Sequence, residues 1–170
     1  MEKKFDIIIY GASGFTGTLG AKYIEKYTDK ISWAIAGRDF KKLQKLQEQL
    51  TSKPEIIVAD GNDEEALIKL TQSTKVVASY AGPFNKYSNL LVKACVKTST
   101  HYVDITGEAI WVRDLIDDYH QECIEKKIKI IPACGYDSIP SDIGTFFTAK
   151  QINEPLKSIF AYHSMAGGVS

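Results

Sequence analysis

The first spacing in this 170-residue chain that could do chemistry is Gly11-Ala12-Ser13-Gly14-Phe15-Thr16-Gly17, with glycines at GxxGxxG intervals. An apolar run, Phe5–Tyr10, precedes it and a helical pattern follows. In that setting Gly11 permits a tight turn, Gly14 lets the main chain approach a diphosphate, and Gly17 lets a helix pack close to a sheet. The N–H groups at the start of the helix, Phe15 among them, and the positive end of its dipole then face phosphate. The hydroxyls of Ser13 and Thr16 add donors. The same residues also suit a strand-to-helix turn that holds no ligand.

The next polar position discriminates between cofactors. About 20 residues past the last glycine, NAD binders place an acid on the ribose 2′-hydroxyl. This chain has Ala36-Gly37-Arg38 there. A guanidinium suits a 2′-phosphate, and Lys41 and Lys42 add charge, so NADP is expected over NAD. Asp39 is the competing feature: it either neutralises Arg38 or faces a ribose. Asp60 is placed to bond or flank an adenine, or else to cap a helix starting near Asn62 or Asp63. In Tyr80-Ala81-Gly82-Pro83-Phe84, the main chain at Ala81 and Gly82 is expected to pack on the nicotinamide ribose, with Pro83 as a rigid exit. A stiff turn without a ligand is the alternative.

Two later clusters carry titratable groups. Asp104, Thr106 and Glu108 gather after one apolar run, placed to bond a carboxamide or orient a substrate, or simply to cap the next helix. Tyr136 and Asp137 follow another run as candidate proton donors or substrate contacts. Cys134 reads as a small packed residue, since no base stands beside it. Ser138 suits a helix cap and Pro140 a first helical turn. There is no Tyr-x-x-x-Lys pair, GxSxG elbow or Walker sequence. No catalytic residue is assigned.

Gly11–Gly17, Ala36–Arg38, Tyr80–Phe84, His101–Glu108 (HYVDITGE) and Cys134–Gly144 (CGYDSIPSDIG) together resemble the saccharopine dehydrogenase-like oxidoreductases. The similarity runs through most of residues 5–145 and points to a subgroup that includes the animal saccharopine dehydrogenase-like proteins and the mycobacterial trans-acting enoyl reductases. The resemblance implies a Rossmann domain, a nicotinamide cofactor and a C-terminal substrate domain. It also implies hydride transfer between NADP(H) and a small organic or lipid-like substrate at a C=C, C=O or C=N bond. Family chains are longer, which makes this chain read as the cofactor domain. A non-catalytic NADP-binding redox sensor is the alternative.

The elements that must hold these residues alternate. Candidate strands are Phe5–Tyr10, Ser32–Ala36, Ile56–Ala59, Lys75–Tyr80, Tyr102–Ile105 and Lys127–Pro132. Candidate helices lie near residues 15–27, 39–51, 63–72, 86–97, 109–126 and 140–151. Leu43, Leu46 and Leu50 mark the core stripe of the second helix, and Ile110, Leu115, Ile116, Tyr119 and Ile124 that of the fifth. The expected fold is α/β, a doubly wound parallel sheet of order 3-2-1-4-5-6 over residues 1–150. Leu156–Met165 alternates like a further strand. It is expected to open a truncated second α+β domain over residues 151–170, or to add an edge strand to the first sheet.

Composition bounds the rest. The chain is 44% hydrophobic and 25% charged, with 21 basic and 21 acidic residues, which argues against a disordered chain and against a general nucleic-acid binder. Cys95, Cys123 and Cys134 form no CxxC pair, and His120 with Cys123 lacks a second ligand pair, so neither a disulfide framework nor a metal site is indicated. The run after Lys3 and Lys4 is too short for an export signal, and no stretch is long enough for a membrane helix. A cytoplasmic protein with a small-molecule substrate is expected, with homodimerisation through the second domain.

Overall fold

The Ile- and Val-rich runs pair into one parallel sheet in the computed structural model, which describes residues 3–27 and 29–163. Its strands are β1 (Phe5–Tyr10), β2 (Trp33–Gly37), β3 (Glu55–Val58), β4 (Thr74–Ser79), β5 (His101–Asp104) and β6 (Ile130–Ile131). The order is β3-β2-β1-β4-β5-β6, as the alternation of elements predicts, and it reverses between β1 and β4.

Helices cover both faces, so the central strands are apolar along most of their length. Ile8, Ala34, Val77 and Tyr102 form one row across four strands, because Ile8 registers with Ala34 and Val77, and Val77 with Tyr102. That row packs under α3 (Glu64–Gln72), α5 (Asn89–Lys97) and α6 (Ala109–Lys126) through Leu67, Leu91, Val92 and Trp111. Ile9 and Ile35 face the other way, against α1 (Phe15–Ile24) and α2 (Phe40–Gln49). Leu43, Leu46 and Leu50 are all buried there, as their spacing predicts.

Several boundaries differ from expectation. The first helix stops at Ile24, and residues Glu25–Tyr27 form a 3₁₀ turn. The helix expected at 86–97 is two: α4 (Phe84–Tyr87) and α5, broken at Ser88. β6 keeps only two residues of the expected six, because Lys127 (φ 55°) ends α6 in the left-handed region and Ala133 (φ 59°) turns the chain away beyond it.

The apolar face of α6 is also rotated. Trp111 and Leu115 are buried, with Tyr119 and Cys123 packed beside them, whereas Ile110, Ile116 and Ile124 are exposed. Trp111 sets the rotation, stacking on Phe84 with ring centroids 6.0 Å apart and donating from Nε1 to Asn89 Oδ1 at 2.6 Å.

α7 (Ile139–Lys150) has no buried residue. Residues 156–163 form no strand: they are exposed and pair with none of the six strands, so their alternation has no ladder to join. The last two residues of that expected strand, Ser164 and Met165, lie outside the described residues.

At the opposite end of the sheet from the glycine turn, Asp6 joins β1 to both neighbours. Its carboxylate accepts from Ser32 N at 2.8 Å and Ser32 Oγ at 2.9 Å, and pairs with Lys75 Nζ at 2.7 Å. The Lys75 ammonium first, then the Ser32 donors, hold the Asp6 carboxyl at about 2, below its ordinary 3.8. A depressed folded-state value means that the stabilisation is present above pH 3.8 and is lost as pH falls towards about 2. Thermal midpoints of wild type and Asp6→Asn should therefore differ at neutral pH and converge across that acid window; a pH-independent gap would contradict it.

Candidate functional site

The glycine turn forms where β1 ends. Gly11 N and Ala12 N both donate to Ala36 O of β2, at 2.9 and 3.2 Å, and Gly14 N donates to Gly11 O at 3.1 Å. Gly11 adopts φ 75°, which disfavours any side chain, and a Cβ there would lie 2.9 Å from Ala81 N. A Cβ on Gly17 would collide with Gly11 O and lie 2.9 Å from Ala12 Cα, so α1 rests directly on the turn. Gly14 is different. Its Cβ would meet only Gly11 O, at 3.4 Å, leaving its outward side open. Gly14 occupies the N-cap of α1 without a side-chain cap bond, and the first-turn N–H groups find no side-chain acceptor among the described residues.

A cleft of about 230 Å³ opens there, across the sheet's reversal point. Of the residues singled out in the sequence, Gly11, Ser13, Gly14, Arg38, Asp60, Ala81 and Gly82 line it. Phe15, Thr16, Gly17 and Pro83 do not. Phe15 is 78% exposed on the first turn of α1, with Thr16 beside it, and Gly17 is buried beneath the turn. Pro83 is exposed, after a cis peptide bond from Gly82.

Arg38 is exposed at the rim and makes no hydrogen bond or ion pair with another described residue. Asp39 does not neutralise it. The Asp39 carboxylate accepts from Lys42 N at 3.1 Å and caps α2. Asp60 does not cap α3; Asp63 does, accepting from Ala66 N at 3.0 Å. Asp60 instead accepts from Asn62 N at 2.9 Å and Asn62 Nδ2 at 3.1 Å, at the edge of the cleft.

Three tyrosines complete the walls and were not singled out as contacts from sequence. Tyr10 is buried, and its hydroxyl donates to Ala59 O at 3.3 Å. Burial, and then the Asp60 carboxylate, push its phenol up to about 12 against the opposing pull of Arg38, so it stays neutral. Tyr80 slots against α1, where a Cβ on Gly20 would lie 2.8 Å from its hydroxyl. Tyr87 borders Gly61. The available signal was position: Tyr10 and Tyr80 each stand where a central strand gives way to its turn.

The polar groups at the end of β5 and after it hold main chain and do not line the cleft. Asp104 Oδ2 accepts from Tyr102 Oη at 2.8 Å, and Oδ1 accepts from Thr106 N at 3.0 Å and Ala133 N at 2.9 Å. Burial pushes its carboxyl up despite these donors. Glu108 accepts from Phe84 N at 2.7 Å and Asn85 N at 3.0 Å. Thr106 Oγ1 accepts from Glu108 N at 3.1 Å. Burial, and then Asp104, raise the Cys134 thiol, which keeps it protonated. Tyr136 and Asp137 are exposed, and Ser138 sits at the N-cap of α7 without a side-chain cap bond. Among the described residues no three His, Cys, Asp or Glu side chains gather as metal ligands. A larger groove of about 490 Å³ runs between α6 and β6, but it is mainly apolar and lies at the sheet edge, away from the glycine turn.

Residues 7–131 match the family described as the saccharopine dehydrogenase NADP binding domain. The chain is 32% identical to a lipid droplet localized protein of Caenorhabditis elegans, over 98% of this chain and 41% of that protein. It is 30% identical to a saccharopine dehydrogenase-like oxidoreductase of Mus musculus, over 98% and 42%. It is 36% identical to a trans-acting enoyl reductase of Mycobacterium tuberculosis, over 85% and 35%. The solved apo saccharopine dehydrogenase (L-Glu forming) of Saccharomyces cerevisiae shares the fold, with a TM-score of 0.73 at 22% identity over 86% of this chain and 31% of that one. The chain therefore spans less than half the length of these curated relatives.

Gly14 and Gly17 should separate in stability. Gly17→Ala is expected to cost about 1–3 kcal/mol through forced displacement of α1. Gly14→Ala should cost no more than about 1 kcal/mol, the scale of a weakened cap. Urea unfolding of both variants checks the order, and equal losses would contradict it.

Proposed function

The chain belongs to the saccharopine dehydrogenase NADP-binding domain family, and we propose that its glycine-turn cleft holds the cofactor of an oxidoreductase that moves hydride between NADP(H) and a small organic or lipid-like acceptor. The observation that carries this is the pairing of an open main chain at Gly14 with an unpartnered guanidinium at Arg38. That donor set fits a dinucleotide. The main-chain N–H groups after Gly14, with the Ser13 hydroxyl, receive the diphosphate. Arg38 pairs with the 2′-phosphate, and Lys41 and Lys42 add exposed positive charge. Asp60 flanks the adenine, and Ala81 and Gly82 border the nicotinamide ribose.

The bound cofactor supplies the hydride chemistry. The residues of this chain bind and orient it. Asp104, Thr106 and Glu108 all hold main chain or neighbouring side chains, so the proton donor for an acceptor is sought elsewhere, in the loop after β6 or in a second domain. The same observation favours the second reading, an NADP-binding redox sensor without turnover. This chain by itself is expected to be inactive, so NADPH absorbance is followed with enoyl, keto and imino acceptors in the full-length protein: oxidation with one class indicates an enzyme, and binding without oxidation a sensor.

Residues 1–150 are proposed as the cofactor-binding unit and residues 151–170 as the start of a substrate and dimerisation domain. The uncovered apolar side chains of α7, Ile143, Phe146 and Phe147, support that division. No helix among the described residues is long and apolar enough to cross a membrane. The proposed cytoplasmic location competes with the one in the nematode relative's name, and cell fractionation decides between them.

Titration of the purified chain should show tighter binding of NADPH than of NADH. Arg38→Ala should weaken NADPH about 10–100-fold, as loss of charge-assisted bonds to a phosphate implies, and leave NADH unchanged. Gly14→Ala should weaken both. Equal affinity of the wild type for the two cofactors would overturn the assignment to Arg38.

A further inference from the structure

We propose that Glu108 is the positioning residue for the nicotinamide half of the cleft, its carboxylate fixing the turn after β4 from the start of α6. This rests on the cofactor reading above. In an open α/β sheet a dinucleotide lies across the C-terminal ends of the strands. Here the exits of β1, β2 and β3 carry the phosphate and adenosine contacts, so the exits of β4, β5 and β6 are left for the nicotinamide and its acceptor.

Glu108 occupies the N-cap of α6 but does not cap its own helix. Its oxygens reach across to a different loop instead. Oε1 accepts from Phe84 N at 2.7 Å and Oε2 from Asn85 N at 3.0 Å, immediately after Ala81–Pro83. On the other side, Ala81 lies against the glycine turn, in the space a Cβ on Gly11 would need. The cleft-lining segment is therefore gripped from both sides, by a main-chain contact at Ala81 and a charged acceptor just past Pro83.

Glu108 is itself anchored. Its N–H donates to Thr106 Oγ1 at 3.1 Å, and Thr106 N donates to Asp104 Oδ1 at 3.0 Å. Asp104 Oδ1 also accepts from Ala133 N at 2.9 Å, and Asp104 O accepts from Cys134 N at 2.7 Å. One connected set of bonds thus runs from the exit of β6 through that of β5 to that of β4. Glu108 is the link that leaves the β5 loop and reaches the cleft wall. The Glu108 carboxylate holds main chain and does not touch the acceptor. Its effect is on the position of Ala81–Pro83, and through them on where a nicotinamide ring rests.

The test uses two ligands that share one half. Wild type, Glu108→Ala and Glu108→Gln are titrated with NADPH and with adenosine 2′,5′-bisphosphate, which has the adenosine and 2′-phosphate but no nicotinamide. Nicotinamide fluorescence and thermal midpoints are recorded alongside. Glu108→Ala should bind NADPH at least about fivefold more weakly, the scale of a lost charge-assisted bond, and show a reduced fluorescence change. Its affinity for the bisphosphate should match wild type. Glu108→Gln keeps one side-chain carbonyl acceptor and should fall between them; it carries the comparison alone if the alanine variant does not fold. Equal losses for both ligands mean a general structural role and overturn the proposal, as does unchanged NADPH binding and fluorescence. A wild type that binds neither ligand overturns the cofactor reading itself, and this assignment with it.

Discussion

Contact between the main chain of Gly17 and the Gly11–Ala12 peptide fixes the start of α1 against the end of β1. No side chain fits between them, so the helix axis, its first-turn N–H groups and the open side of Gly14 are set by two backbones in contact. The rest of the cleft is arranged around that contact. Ala81 meets Gly11 from the neighbouring strand, and the turn itself hangs from Ala36 O of β2. The frame of the turn therefore draws on β2, β1 and β4, adjacent strands at the point where the order reverses, and Asp60 and Gly61 after β3 add to the cleft wall.

Around this frame the polar side chains divide into two kinds. Asp39, Asp63, Asp104 and Glu108 are engaged with backbone N–H groups, capping helices or joining loops. A carboxylate holding such donors is not available to a ligand without losing them. Arg38 is the opposite case, an exposed cation beside a turn whose N–H groups, like Arg38 itself, find no side-chain partner among the described residues. A guanidinium and main-chain donors without internal partners are groups that suit an anion, with the Asp60 carboxylate at the edge of the same cleft. The neutral Tyr10 phenol beneath it adds bulk without charge.

The neighbouring loops, after β4, β5 and β6, are held differently. Beside a close approach of Gly135 to Ile105, they depend on the carboxylates of Asp104 and Glu108 for their register. Buried acceptors of several donors are costly to leave unmatched, so such a set acts together. This gives the loops a defined arrangement while keeping their outer surfaces open: a Cβ on Gly107 would meet nothing within 4 Å.

Strand order, the glycine turn and the helix stripe of Leu43, Leu46 and Leu50 were legible in the sequence, because each depends on local spacing: a period of two or 3.6, or a residue without a Cβ at a fixed interval. Arg38 was legible for the same reason, by its distance from the turn. The assignment of each acid to a ligand or to a backbone was not. Asp39 caps its own helix, but Glu108 bonds residues more than twenty positions away, and only the parallel pairing of β4 with β5 brings those loops together. The rotation of α6 was likewise hidden. Its isoleucines suggested one face, yet the packing of Trp111 on Phe84 and its bond to Asn89 turned another inward. Sequence spacing fixes what a residue shares with its neighbours along the chain; which groups satisfy one another across the sheet is decided when distant loops are brought into contact.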